Sequence, residues 1–258
     1  MNQFDLTGQV CLVTGASAGG LGYHSALALA EHGADLVLAD LASRKDDLLQ
    51  TKAAIEAAGR KAEIALVDVA DEGSVDAMAM TAMERFGRID VLVHHAGVML
   101  RKDAFEMELA EWQRIVDINL TGTWLVNRRV AREMVGNGHG KIINTSTLYT
   151  NIVGPLPESA YYASKAGVAN LTRGLALEWG KHNIQVNCIA PGVFYPTQMT
   201  GPLSAQPERL EWMRQRTFLG RLGNPETDLR GLVVFLATAA SDYVTGQVIF
   251  ADGGWTAW

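Results

Sequence analysis

Cysteine is scarce in this chain of 258 residues: only Cys11 in "QVCLVTG" and Cys188 in "IQVNCIAPG" occur. Both lie inside apolar runs and are expected to pack in the core. Nothing in the sequence points to the oxidising compartment that a disulfide needs. No run of about 18 apolar residues is present, which removes the usual membrane-spanning helix. The opening "MNQFDLTGQV" has neither the basic nor the apolar region of a signal peptide, so a soluble, cytoplasmic protein without a membrane partner is expected. Positive charge is short as well: 22 Lys and Arg against 28 Asp and Glu give a formal net charge of −6, with the cations scattered. The electrostatic footprint of a nucleic-acid binder is therefore missing. Linkers, internal repeats and charge blocks are also missing.

What remains is a chain with 48% apolar residues, 26 Gly and 7 Pro, enough for one large core. α/β folds often use about 250 residues as one unit, so residues 1–258 are expected to form a single domain. The runs "QVCLVTG", "ADLVLAD", "AEIALVD", "IDVLVHHAG", "GKIINTS", "IQVNCIAPG" and "GQVIFADGG" are short and β-rich, as strands buried on both faces are. Helical stretches lie between them, near 20–32, 45–58, 72–86, 106–136, 159–181 and 226–240. Alternation of this kind predicts an α/β doubly wound (Rossmann) parallel sheet of about seven strands with helices on both faces. A long irregular region, 193–206, carries Pro196 and Pro202 with Pro207 at its edge; with the residues up to 220 it is expected to act as a substrate lid, 193–220.

Such a sheet binds its ligand at the carboxyl ends of the strands, where the unusual residues fall. "TGASAGGLG" follows the first strand and opens a helix. Its glycines let the backbone approach a diphosphate, and the helix N-terminus supplies donors. The candidates there are Gly15, Ser17, Gly20, Leu21 and Gly22. Asp40, at the end of the second strand and 18 residues beyond Gly22, can accept hydrogen bonds from both adenosine ribose hydroxyls, with Leu41 beside it. Its charge would repel a 2′-phosphate, which favours NAD over NADP; Arg44, four residues on, is the residue that argues the other way. Asp68 and Val69, after the third strand, are candidates for the adenine side.

"SAYYASKAG", residues 159–167, sets Tyr161 at i and Tyr162 at i+1 before Lys165 at i+4. Both tyrosines fall at helical spacing from the lysine, so spacing alone leaves either in contention. A free phenol has a pKa of about 10, and a nearby ammonium together with an oxidised nicotinamide can lower it. Asn119 lies in a long predicted helix where asparagine is locally unfavourable, as expected for a functional position. Ser146 and Thr147 follow the fifth strand. On a strand they point to opposite faces, so only one can reach the cofactor.

Through "TGASAGGLG", Asp40, "HHAG", "INLTG", "INTST", "YYASK", "IAPG" and "FADGG", almost the whole chain resembles the short-chain dehydrogenase/reductase family. The resemblance implies a tetrad of Asn119, Ser146 or Thr147, Tyr161 and Lys165. In it the tyrosine exchanges a proton with the substrate oxygen while a hydride moves to or from NAD. The family pattern Y-x-x-x-K selects Tyr161 and leaves Tyr162 to packing or a subunit contact. Counting from "GKIIN" puts the family's catalytic serine on Thr147. The lysine would also hold the nicotinamide ribose, and Asn119 would support a water linking it to solvent. His95, Ala96, Gly97, Pro191, Gly192, Val193 and Thr197 fall at cofactor-binding positions of the family.

Departures from the family pattern carry information. The glycine turn is one residue longer than usual unless Gly19 takes the second place, and Thr197 falls one residue late. "HHAG" replaces "NNAG". Neighbouring histidines on a strand face opposite ways, with no third ligand at metal spacing, so no metal is expected. Instead His95 is expected to make the asparagine's backbone-bridging bonds beside the cofactor, where its charge would make cofactor affinity depend on pH near 6.5, and His94 to pack beneath.

Within the family the chain is most similar to the gluconate 5-dehydrogenase and 2-deoxy-3-keto-gluconate dehydrogenase group, which implies an alcohol or ketone substrate of sugar-acid type. Arg101 could meet its carboxylate or be a solvated loop residue. Tyr195, Met199, Trp212 and Phe218 instead suit a bulkier substrate, as in a carbonyl or 3-oxoacyl reductase. A non-catalytic NAD-binding protein is a third reading, disfavoured by the complete tetrad. Trp255 and Trp258, with the second faces of the long helices, suggest subunit contacts, and the resemblance implies a homotetramer.

Overall fold

The computed structural model describes residues 2–258. Its strands are β1 (Val10–Thr14), β2 (Asp35–Asp40), β3 (Ala62–Leu66), β4 (Val91–His94), β5 (Gly140–Thr145), β6 (Ile184–Pro191) and β7 (Val248–Ala251). They form one sheet in the order β3-β2-β1-β4-β5-β6-β7. Every pairing is parallel. The doubly wound sheet read from the alternating pattern is thus the observed one, and strand order reverses between β1 and β4.

Helices α1 (Leu21–Glu31), α2 (Lys45–Ala57), α3 (Glu72–Phe86), α4 (Leu109–Val116), α5 (Gly122–Asn137), α6 (Ser159–Trp179), α7 (Pro207–Gln215) and α8 (Arg230–Ala237) complete the fold. Alternate residues of each strand feed different cores. Cys11 and Val13 pack with Leu29, Leu48 and Val233. Val10 and Leu12 pack with Met78, Val130 and Leu175 on the other face. Burial on both faces is why the strands read as continuous apolar runs rather than alternating ones. Cys11 and Cys188 are free and buried. With β4 and β5 between their strands, and three residues out of register, they stand more than about 14 Å apart, beyond disulfide reach.

Three elements differ from expectation. The helix predicted over 106–136 is α4 and α5 joined by a π-helical turn, Asp117–Thr121. That predicted over 226–240 is shortened to α8, followed by a 3-10 turn at Ala239–Ser241. The region 193–206 is not irregular throughout, since it holds a 3-10 turn, Gly201–Ala205, and α7 follows it, starting on Pro207. Proline has no N–H to lose at a first helical position, so a residue that reads as a breaker begins a helix here. The turn and α7 form a third apolar cluster, in which Leu203, Leu210 and Met213 pack on Leu148 and Trp255. Trp255 is therefore interior to its own chain. Trp258 remains largely exposed, stacked edge-on with Phe218. No described helix is long and apolar enough to cross a membrane.

Candidate active site

A cleft of about 490 Å³ opens at the carboxyl ends of β1, β2, β4, β5 and β6. Its floor begins at the glycine turn. Gly15 has φ +65°, and a Cβ there would lie 3.1 Å from Ala96 N. A Cβ on Gly22 would meet the Gly15 carbonyl oxygen at 2.2 Å. These two glycines therefore let β1, the loop after β4 and the start of α1 close on one another. Gly20 caps α1 without a side chain, so the first-turn amides face the cleft with no acidic residue beside them. Gly19, within the turn, has φ +83°, a conformation that favours glycine. The cradle fits a dinucleotide diphosphate. Ser17 departs from expectation: it is absent from the cleft wall, its N–H donates to Asp40 Oδ2 (3.2 Å), and its buried hydroxyl has no partner.

Asp40 stands on the wall where β2 ends, its other oxygen accepting from Leu41 N–H at 2.8 Å. Two main-chain donors thus fix the carboxylate's orientation. Arg44 lies on the same wall, its charge shared with Asp47 at 2.9 Å. Leu41, Asp68 and Val69 line this end, with Asp68 turned back onto Ala70 N–H. Pro191, Gly192 and Thr197 line the opposite side. Val193 does not: it packs into the third apolar cluster and faces a second, smaller cavity, because successive residues of an extended segment point opposite ways.

Tyr161, Lys165, Asn119 and Thr147 converge where β4, β5 and α6 meet. Lys165 is 4% exposed and donates to the Thr145 carbonyl at 2.8 Å. Burial pulls its ammonium down to about 8. The Asn119 side chain clasps the Val98 backbone through both its amide groups (2.8 and 2.9 Å) and also donates to Ser164 Oγ. A Cβ on Gly97 would press on both Asn119 Oδ1 (3.1 Å) and Lys165 Nζ (3.2 Å), so this glycine keeps the space between them. Burial pushes the Tyr161 phenol up to about 12, and the neighbouring Thr147 hydroxyl opposes this by favouring the phenolate. The expected acidification calls for the oxidised nicotinamide as well as the lysine, so burial, acting on the chain without its cofactor, raises the phenol.

Only one of the two adjacent hydroxyls is available. Ser146 Oγ is committed to the Lys165 carbonyl at 2.7 Å and to Thr150, whereas Thr147 faces Tyr161. Tyr162 turns away and donates to the Leu156 carbonyl at 3.1 Å.

The histidine pair differs from its expected roles. His95 bridges side chains, not backbone: Ser25 Oγ at 2.9 Å and Thr145 Oγ1 at 3.0 Å. His94 packs beneath and meets Thr14 Oγ1 at 2.8 Å, while its Nε2 has no partner. Burial, reinforced by Lys165, holds both imidazoles at about 3. Both causes act against a change of His95 charge near pH 6.5. Among the described residues no three potential metal ligands converge.

Several participants carried no clear sequence signal. Glu158, just before α6, is 1% exposed and accepts from Arg101 Nε at 2.6 Å, so Arg101, although an exposed loop residue, is not an unpaired cation. Gln198 joins the segment after β6 to the glycine turn, its N–H donating to the Gly19 carbonyl at 3.0 Å and its side chain to the Ala18 carbonyl. Arg114 and Ile118 complete the wall.

A family model of short-chain alcohol dehydrogenase type, described as enoyl-(acyl carrier protein) reductase, matches residues 15–256. The chain is 39% identical to 2-dehydro-3-deoxy-D-gluconate 5-dehydrogenase of Dickeya dadantii over 100% of its own length and 99% of that protein's. It is also 39% identical to cis-4-hydroxycyclohexanecarboxylate dehydrogenase of Sinomonas cyclohexanicum, covering 96% of this chain and 97% of the other. A solved gluconate 5-dehydrogenase from Burkholderia cenocepacia, in complex with NADP and tartrate, superposes with a TM-score of 0.93 at 35% identity, covering 100% and 98% of the two chains. A dinucleotide cradle, a buried Tyr-Lys pair on one helix and matches along the full length agree: the chain belongs to the short-chain dehydrogenase/reductase family and is an oxidoreductase of CH–OH groups.

Proposed function

We propose that the chain, acting as one catalytic unit, is an NAD-dependent dehydrogenase that interconverts a secondary alcohol and a ketone of a sugar acid or related hydroxy acid. The observation that carries this reading is the Tyr161 phenol beside the Thr147 hydroxyl, with the buried Lys165 one helical turn on. When bound, the nicotinamide supplies the hydride acceptor for alcohol oxidation and the donor for the reverse. The protein handles the proton and the geometry. Thr147 holds the substrate oxygen, and Tyr161 gives that oxygen a proton on reduction or takes one on oxidation. Lys165 holds the ribose hydroxyls and favours the phenolate, while Asn119, anchored on Val98, keeps the adjacent loop in register.

NAD rather than NADP is favoured by Asp40, whose oriented carboxylate offers its remaining lone pairs to ribose hydroxyls and repels a 2′-phosphate. The Burkholderia relative holds NADP, so the preference rests on Asp40 and on Arg44 being paired with Asp47. A hydroxy acid is supported by the carboxylates in the names of the relatives: a dehydrodeoxygluconate, a hydroxycyclohexanecarboxylate and bound tartrate. A second reading, a bulkier cyclic or aromatic substrate, is favoured by the apolar third cluster beneath the lid. The exposed Phe105, Leu109 and Trp112 near α4 suit a homotetramer, and the cytoplasm suits the two free thiols.

The test is a screen of sugar acids, polyols and cyclic hydroxy acids with NAD and with NADP, following absorbance of the reduced cofactor. Turnover of hydroxy acids with NAD at least about tenfold above NADP is expected, since one charge contact is worth that much. No turnover with any alcohol would refute the reading.

A further inference from the structure

Strand order fixes what a link between the ends of β1 and β6 has to cross. β4 and β5 stand between them, so the two ends lie about 14 Å apart, three strand spacings across the sheet. In that gap His95, Ala96 and Thr145 line the cleft. Gln198, on the segment after β6, nevertheless reaches the glycine turn after β1. Its N–H donates to the Gly19 carbonyl at 3.0 Å and its side-chain amide to the Ala18 carbonyl. The side chain also lies along Gly19, where the atoms nearest to an added Cβ would all be those of Gln198, from 3.4 Å. Gly20 and Leu21 on one side of this contact, and Gln198 and Met199 on the other, line the same cavity. The contact is therefore a bridge over the cleft. On the β6 side it is held in shape: Thr197 and Thr200 pair their hydroxyls at 2.8 Å, and Thr200 donates to the Phe194 carbonyl at 2.7 Å. Gln198 itself is exposed at the crown of this knot.

A dinucleotide whose adenosine ribose meets Asp40, at the end of β2, and whose nicotinamide ribose meets Lys165, beside β5, has to pass beneath the bridge. We infer that Gln198 is the clasp that governs exchange of the dinucleotide, letting go of Ala18 and Gly19 each time the cofactor enters or leaves. Both bonds join protein to protein, so their strength does not depend on the cofactor. A contact that is equally strong in two states shifts no equilibrium between them. Removing the clasp therefore speeds entry and exit together and leaves affinity nearly unchanged. Removing a residue that grips the cofactor would instead speed exit alone. The inference rests on the proposed dinucleotide reading and is independent of which alcohol is oxidised.

The test follows binding and release of NADH, and separately of NADPH, by stopped-flow fluorescence of the reduced nicotinamide in wild type, Gln198→Ala and Gln198→Met. Methionine keeps a long side chain against Gly19 but has no donor for the Ala18 carbonyl. In both variants the association and dissociation rate constants should rise together by about 3- to 10-fold, the worth of one exposed hydrogen bond, with Kd within about threefold of wild type. Wild-type rate constants in either variant would overturn the inference. So would faster dissociation alone with a matching loss of affinity, which would make Gln198 an ordinary contact of the cofactor. Failure of the NAD reading is separately visible: the paired rise with NADPH, in a protein that takes up no NADH, would sustain the clasp and refute the NAD preference. A wild type that binds neither dinucleotide would sink the dinucleotide reading and the clasp with it.

Discussion

Replacing His94 by asparagine should flatten the acid side of the stability curve. The imidazole is buried, it meets Thr14 through Nδ1 and has nothing on Nε2, and Lys165 adds its charge nearby. Burial first and the lysine second hold it at about 3 in the folded chain, against 6.5 for a free side chain. Because the folded value is the lower one, the unfolded chain takes up the proton first as pH falls. Stability from this group is fully present above about 6.5 and is lost progressively toward 3. Each pH unit inside that window costs about 1.4 kcal/mol, so the loss between pH 7 and pH 5 is about 2 kcal/mol. Asparagine carries no proton, and the rest of the molecule titrates alike in both proteins. Urea unfolding at fixed protein concentration at pH 5, 6, 7 and 8 should give a wild-type minus variant difference that is flat from 7 to 8 and falls by about 2 kcal/mol by pH 5. Parallel curves down to pH 5 would refute a buried, neutral His94.

The remaining expectations concern the site. Tyr161→Phe should lower kcat by at least about a thousandfold, while NAD affinity by isothermal calorimetry stays within about tenfold; near-normal turnover would move the proton role elsewhere. Asp40→Ala should relax the choice of dinucleotide, read as a fall of at least about tenfold in the NAD/NADP ratio of kcat/KM, and an unchanged ratio would remove Asp40 from the argument. Gly97→Ala places a methyl against Asn119 Oδ1 and Lys165 Nζ, both already held by other partners. Turnover should drop at least about tenfold for a destabilisation of only about 1–3 kcal/mol by thermal melting, and full activity would show that the lysine is free to move.

The strands were legible because a doubly buried strand has a strong local signature, a short β-branched run ending in Gly, Asp or Asn. The cleft was legible for the same reason, since its floor is where those runs stop. Tyr161, Lys165 and Asn119 follow from motif and helical spacing. What local pattern could not carry was pairing over distance. Glu158 reads as a polar residue ahead of a helix, and its burial depends on Arg101, 57 residues earlier. Gln198 reaches a turn 180 residues away, and no periodicity announces that. Ser146 and Thr147 were separable only through their partners, Lys165 on one side and Tyr161 on the other. Proline misled at α7, where its meaning depends on whether a helix begins or ends there. Val193 was misplaced because its neighbours Gly192 and Pro191 do line the cleft and it points the other way.

The wide turn at Asp117–Thr121 makes Asn119 a local compromise in the longest helical stretch of the molecule. One surplus residue is accommodated there, so the segments before and after it are rotated out of the phase an unbroken α-helix would impose. Deleting that residue would heal the ladder of main-chain bonds, yet it would swing everything upstream by about 100°. The apolar stripe of α4 would leave its neighbours, and the amide that grips Val98 would face elsewhere. A more regular helix and this arrangement around Lys165 are thus mutually exclusive, and the irregularity is the form in which the requirement of the site is written into the backbone.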